Sequence, residues 1–138
     1  DGHIDNLARF VKPRTVLCAY EEDEGDENHG TLKENYEILL KSTDHDGKKF
    51  KVIKVPMPPV VRSTVRGEKT RLPASYLNFY VANKVVLVPT YGHKNDKEAI
   101  RIIQKVFPGR KVLGIDCRDL VYGMGAIHCV MQQQPAVI

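Results

Sequence analysis

Two short stretches carry side chains able to do chemistry. "GMGAIHCVMQQQP" (123–135) brings Cys129 out of a glycine-flanked turn, directly after His128. A cysteine there can be a nucleophile, a metal ligand or an ordinary buried thiol, since free cysteine is among the most buried residue types. Gly123 and Gly125 admit a sharp turn and a close backbone approach, and the N–H groups of such a turn can stabilise developing negative charge. "DGHIDN" (1–6) sets His3 two residues from Asp5. In an extended segment these two face the same side. A carboxylate beside an imidazole can fix its tautomer or hold a substrate nitrogen, while the ring moves protons near neutral pH. His128 faces away from Cys129 if 126–131 is a strand, which suits a buried, hydrogen-bonded role better than that of catalytic base. His3, Asp5, Cys117 and Cys129 are metal-ligating types, but no pair sits at a recognisable ligand spacing, so no metal is expected.

Elements able to position these residues come from a repeat. "NLARFVKPRTVLCAY" (6–20) and "YLNFYVANKVVLVPT" (76–90) match at an offset of 70. Each reads as two β-rich runs joined by a tight turn, Lys12-Pro13-Arg14 in one and Asn83-Lys84 in the other. A helix is predicted after each. "TLKENYEILLKS" (31–42) stacks Leu32, Tyr36, Leu39 and Leu40 on one stripe, with Thr31 and Glu34 at capping-box spacing. "NDKEAIRIIQKVF" (95–107) repeats the pattern, opened by Asn95 and Glu98. Strands "KVIKV" (51–55) and "KVLGI" (111–115) close the copies, now at an offset of 60. The fold class is α/β, with ββαβ units over about 6–55 and 74–115 that must pack on one another to bury both sheet and helix. A basic, Pro-rich loop (56–73) joins them, and "AIHCVM" (126–131) reads as the first strand of a further unit.

Composition excludes some classes. The chain has 138 residues, 42% hydrophobic and 28% charged, the profile of an ordinary globular domain. No apolar run approaches bilayer length. The net charge is +4, yet the basic residues are scattered or lie in 62–71, and "EEDEGDE" (21–27) is acidic. No basic face interleaved with aromatics points to nucleic acid. The acidic run reads as a solvated loop with at most a weak pull on cations. Three cysteines without CxxC spacing suit a reducing, cytoplasmic setting. The chain opens Asp1-Gly2-His3 and has no Met before Met57, so a piece of a longer polypeptide is expected.

Taken together, "DGHIDN", "RLPASYLNFYVAN" (71–83), "NDKEAI" and the glycine turn into "IHC" followed by "QQQP" resemble the agmatine deiminases. These belong to the bacterial-type peptidylarginine deiminase group of the pentein superfamily. The resemblance runs over this whole chain and covers only the C-terminal part of the family's length. It implies a partial pentein-type α/β propeller, of which this chain is part of a single catalytic domain. It also implies Cys129 as nucleophile, His3 as acid/base and Asp5 as a carboxylate gripping the guanidinium. Asn78 matches a pocket asparagine, although at offset 70 Ser75 stands opposite Asp5. The implied reaction converts agmatine to N-carbamoylputrescine and ammonia in putrescine biosynthesis, with neither metal nor organic cofactor. Deiminases of arginine or peptidyl-arginine, and a truncated relative that binds guanidines without turnover, are the alternatives.

Two departures matter. The family pattern Gly-Gly-Gly-Asn-Ile-His-Cys has Met124 and Ala126 here in place of a Gly and the Asn, and positive φ is costly for Met. The family's Trp-Arg-Asp segment, with a further catalytic carboxylate, is absent, and this chain has no Trp. The implied partners are therefore a small cationic guanidino substrate and the missing N-terminal half or a complementing chain. The isolated chain is expected to be inactive and to associate through uncovered surface, which leaves a homo-oligomer open. Neither nucleic acid nor membrane is an expected partner.

Overall fold

A computed structural model of the chain describes residues 3–65 and 67–136; Asp1 and Gly2 of the first motif, and Arg66 of the linking loop, lie outside them. The first unit comprises β1 (Ala8–Lys12), β2 (Thr15–Tyr20), helix α1 (His29–Lys41) and β3 (Lys51–Pro56). After a hairpin of β4 (Arg62–Val65) and β5 (Glu68–Arg71) comes the second unit: β6 (Tyr80–Val81), β7 (Val85–Thr90), helix α2 (Asn95–Val106) and β8 (Lys111–Asp116). Each unit is a three-stranded sheet, ordered β1-β2-β3 and β6-β7-β8, with an antiparallel hairpin and then a parallel pair joined through the helix.

The two units share their register. Thr15 pairs with Lys51 and Tyr20 with Pro56; Val85 pairs with Lys111 and Thr90 with Asp116. These are the same pairings displaced by the sequence offsets. In the first hairpin the register slips between Phe10 and Lys12, a bulge the second lacks. β-branched and aliphatic runs fill both central strands. Val16, Leu17, Cys18, Ala19, Val86 and Val88 are buried because strands flank them and helices cover them.

The helices contribute unequally. α2 buries Ala99, Ile103 and Val106, whereas α1 buries only Leu32 and leaves Leu40 exposed, against the predicted stripe. Neither predicted capping box forms. The residues preceding the helices are Asn28 and Lys94, without side-chain caps. At α2 the Asp96 carboxylate instead accepts the N–H groups of Tyr91 and His93 and the Tyr76 hydroxyl.

Three further expectations are corrected. The 56–73 linker is not irregular throughout, since Arg62–Val65 and Glu68–Arg71 form a hairpin turned at Gly67, φ +86°. The stretch 126–131 is not a strand but holds a 3-10 turn at His128–Val130. The first run of the second hairpin shrinks to Tyr80–Val81, and Ala74–Phe79 before it is buried irregular chain. Buried loop backbone must find partners. Here Arg9 Nη1 donates to the Leu77 and Phe79 carbonyls at 2.9 Å each, and the Ser75 N–H donates to Tyr91 Oη at 3.2 Å. Among the described residues no helix is long and apolar enough to cross a membrane.

Candidate active site

Asn78 is the hub of the site. It is fully buried, and its Nδ2 lies 2.9 Å from Asn6 Oδ1, 3.1 Å from Asp5 Oδ2 and 3.2 Å from Cys129 Sγ. Its Oδ1 accepts the His128 N–H at 2.9 Å. An amide has two N–H hydrogens, so three acceptors share them. Sulfur gains most from that donor when it is a thiolate, because hydrogen bonds to ionised acceptors are the stronger ones.

Asp5 lies in a 3-10 turn, Ile4–Asn6, so it and His3 are not alternate residues of a strand as expected. Its Oδ2 meets three groups: His128 Nδ1 at 2.8 Å, Asn78 Nδ2 at 3.1 Å, and the Cys129 thiol at 3.8 Å. His128 thus joins the site through its ring, which the sequence placed away from Cys129. The strand assumption caused that difference, because a 3-10 turn carries successive side chains around the axis rather than to opposite faces. Ser75 Oγ donates to the Asn6 carbonyl at 2.7 Å, so the repeat's offset put Ser75 one residue from where it acts. Arg9 adds positive charge nearby. Burial lowers the pKa of its guanidinium, and the charge of Asp5 partly restores it.

The glycine turn works by space rather than by glycine dihedrals. The left-handed conformation falls on Met124, φ 66°, and not on either glycine. Gly125 is buried, and a Cβ there would sit 2.8 Å from Cys129 Cβ and 2.9 Å from Sγ. Gly123 is exposed, with nothing within 4 Å of a Cβ, so its expected part in the site finds no steric basis.

Of the three thiols, Cys18 and Cys117 are buried and Cys129 is exposed. Burial pushes the Cys18 thiol up to about 11, and burial with Asp116 nearby raises that of Cys117. Both are thereby disfavoured as nucleophiles. His3 is exposed and makes no side-chain hydrogen bond among the described residues. It borders a cavity of about 650 Å³ lined also by Asn6, Arg71, Leu72 and Ser75, but not by Cys129 or His128. Among the described residues, no group of three His, Cys, Asp or Glu side chains could hold a metal ion. The structure therefore brings together Asp5, Asn78, Gly125 and Cys129. It adds Asn6, Ser75 and His128, and leaves Gly123 and the His3 side chain outside this hydrogen-bonded cluster. Asn6 was legible as a polar residue inside the first motif, whereas His128 needed the turn geometry.

Residues 1–135 match the model of the Porphyromonas-type peptidyl-arginine deiminase family. A Legionella pneumophila (strain Paris) relative is 43% identical over 136 residues, 98% of this chain and 38% of its own. The agmatine deiminase of Medicago truncatula is 40% identical over 153 residues, 99% of this chain and 41% of its own. A solved structure, the agmatine deiminase of Enterococcus faecalis, is 37% identical with a TM-score of 0.88, covering 97% of this chain and 40% of that one. The chain thus spans about two fifths of the length of these relatives (38–41%). The chain belongs to the Porphyromonas-type peptidyl-arginine deiminase family.

Proposed function

We propose that the complete protein is an agmatine deiminase, a hydrolase of a guanidinium C–N bond, to which this chain contributes Cys129, Asp5, Asn78 and His3. One observation carries the reading: Asp5 Oδ2 lies 3.8 Å from Cys129 Sγ, with Asn78 Nδ2 within 3.2 Å of both. A guanidinium laid on that carboxylate presents its central carbon to the sulfur. Uncatalysed water attacks this resonance-stabilised cation very slowly.

Cys129 thiolate attacks the guanidinium carbon, and the C–N bond to a terminal nitrogen breaks as that nitrogen takes a proton and leaves as ammonia. An S-alkyl isothiouronium, the amidino group joined to the sulfur, remains on Cys129. Water then adds to the same carbon, loses a proton to the base, and expels the thiolate, giving N-carbamoylputrescine. His3 is the proposed acid and then base. What supports it is its place two residues before Asp5, on the wall of a cavity that also reaches Asn6 and Ser75. A propeller-type arrangement, with the remaining pocket and a further carboxylate from outside this chain, belongs to the same proposal.

The test is ammonia release from agmatine by the complete protein and its Cys129→Ala variant. Turnover in the parent and none in the variant is the expected result; retained turnover in the variant would remove Cys129 from the nucleophile's role. A second reading takes arginine or peptidyl-arginine as substrate. Of the cations lining the cavity, Arg62 and Arg71 already pair with Glu27 and Asp26, whereas Lys69 has no ion pair among the described residues and could meet an α-carboxylate. Comparing kcat/KM for agmatine and arginine separates the two.

A further inference from the structure

The Asp5 carboxylate has a resident partner. His128 Nδ1 lies 2.8 Å from Oδ2, and Asn78 Nδ2 occupies the same oxygen at 3.1 Å. A carboxylate oxygen has two lone pairs, so Oδ2 is filled. Oδ1 has no hydrogen bond among the described residues. A guanidinium that grips a carboxylate bidentately needs both oxygens. One of the two present donors must then yield.

Asn78 is the poorer candidate to move. It is fully buried, and its amide is also tied to Asn6, Cys129 and the His128 N–H. The His128 ring is held only by Asp5, and 31% of its side chain is exposed. Its backbone stays anchored, since the N–H also lies 3.1 Å from the Asn78 carbonyl. The ring can therefore swing away without unmaking the turn.

Resting on the proposed function, we propose that His128 is a built-in competitor of the guanidinium substrate for Asp5, so that its protonation sets how tightly the site takes a cation. As an imidazolium it satisfies Asp5 as a cationic donor, and once displaced it repels the incoming guanidinium. As a neutral ring it is a weaker partner and carries no charge. Binding of a guanidinium is thus coupled to loss of the His128 proton, and affinity falls as pH is lowered. Other charges and titratable groups among the described residues bear on the pair. They are Cys129 beside His128, Arg9 of β1 acting on Asp5, Tyr91 after β7 acting on Cys129, and His3 at the start of the Asp5 turn.

The experiment measures the dissociation constant of agmatine on the complete protein carrying Cys129→Ala, which binds without turnover, at pH about 6 and about 8. Affinity is expected to weaken by up to about tenfold per pH unit on the acid side, the limit for one linked proton. Adding His128→Gln, or independently His128→Asn, is expected to flatten the dependence; a merely structural role would shift affinity equally at both pH values. A pH-independent constant in the His128-containing protein overturns the proposal. So does a slope that survives both substitutions, which would belong to another group, His3 first. No agmatine binding at either pH would sink the proposed function and this inference with it, and binding without the slope sinks the inference alone.

Discussion

Cys129 depends on a glycine that does not use a glycine's dihedral freedom. Because a Cβ on Gly125 would fall within 2.9 Å of both Cys129 Cβ and Sγ, Gly125→Ala must push the thiol from Asp5 and Asn78. A displacement of about 1 Å at a reacting group costs on the order of a hundredfold in rate. Gly125→Ala is therefore expected to lower kcat/KM by about that factor, while Gly123→Ala, in open space, leaves it unchanged; steady-state assay of both variants checks this. Residue types drew attention to this cluster, since a thiol, a carboxylate and an amide stood out from short motifs and a resemblance, and Cys129, Asp5 and Asn78 do lie together. What each glycine does was not readable, because positive φ and steric clearance leave the same letter in the sequence. His128 was likewise misplaced, since its facing depends on whether 126–131 is extended or turned.

The ββαβ units were legible because β-branched runs, a short turn and a 3.6-residue apolar stripe are each local signals. The β4–β5 hairpin was not, since apart from Val65 its strands carry only Arg, Ser, Thr, Lys and Glu and lack the apolar runs of the other strands. The terminal stretch misled in the opposite way. Its alternation suits a strand, yet the His128 N–H is spent on Asn78 and Met124 turns the chain left-handed just before it. Packing between strand and helix rests on another close approach. A Cβ on Gly114 of β8 would lie 2.8 Å from Thr90 Cγ2 and 3.0 Å from Ile100 Cδ1, on α2. Gly114→Ala is expected to destabilise the fold by about 1–3 kcal/mol through overpacking, read from the urea midpoint, with kcat changed less than by Gly125→Ala.

Across the molecule, the acidic loop 21–27 is an internal partner rather than only a solvated surface. Asp26 Oδ1 accepts from Arg71 at 2.7 Å and Glu27 from Arg62 at 2.8 Å, tying the first unit to the β4–β5 hairpin. Burial opposes ionisation of Asp26, but the Arg71 hydrogen bond and charge and the Asn28 N–H outweigh it, holding the carboxyl below its ordinary range. With a lowered folded-state value, this stabilisation is full above the unfolded value of about 3.9 and is lost as pH falls through the folded one. Asp26→Asn should therefore lower the urea midpoint at pH about 7 and cost progressively less below pH about 3. Which loop charges meet was beyond sequence reading, because it depends on where the β4–β5 hairpin packs against the first unit. The family was legible from the order of the motifs alone. The proposed chemistry centres on the sulfur of Cys129. Acid quenching of the complete protein during turnover of agmatine, followed by peptide mass spectrometry, should find the Cys129 peptide heavier by agmatine less ammonia. An unmodified Cys129 peptide under conditions of active turnover and slowed hydrolysis, or the adduct on Cys18 or Cys117, would contradict it.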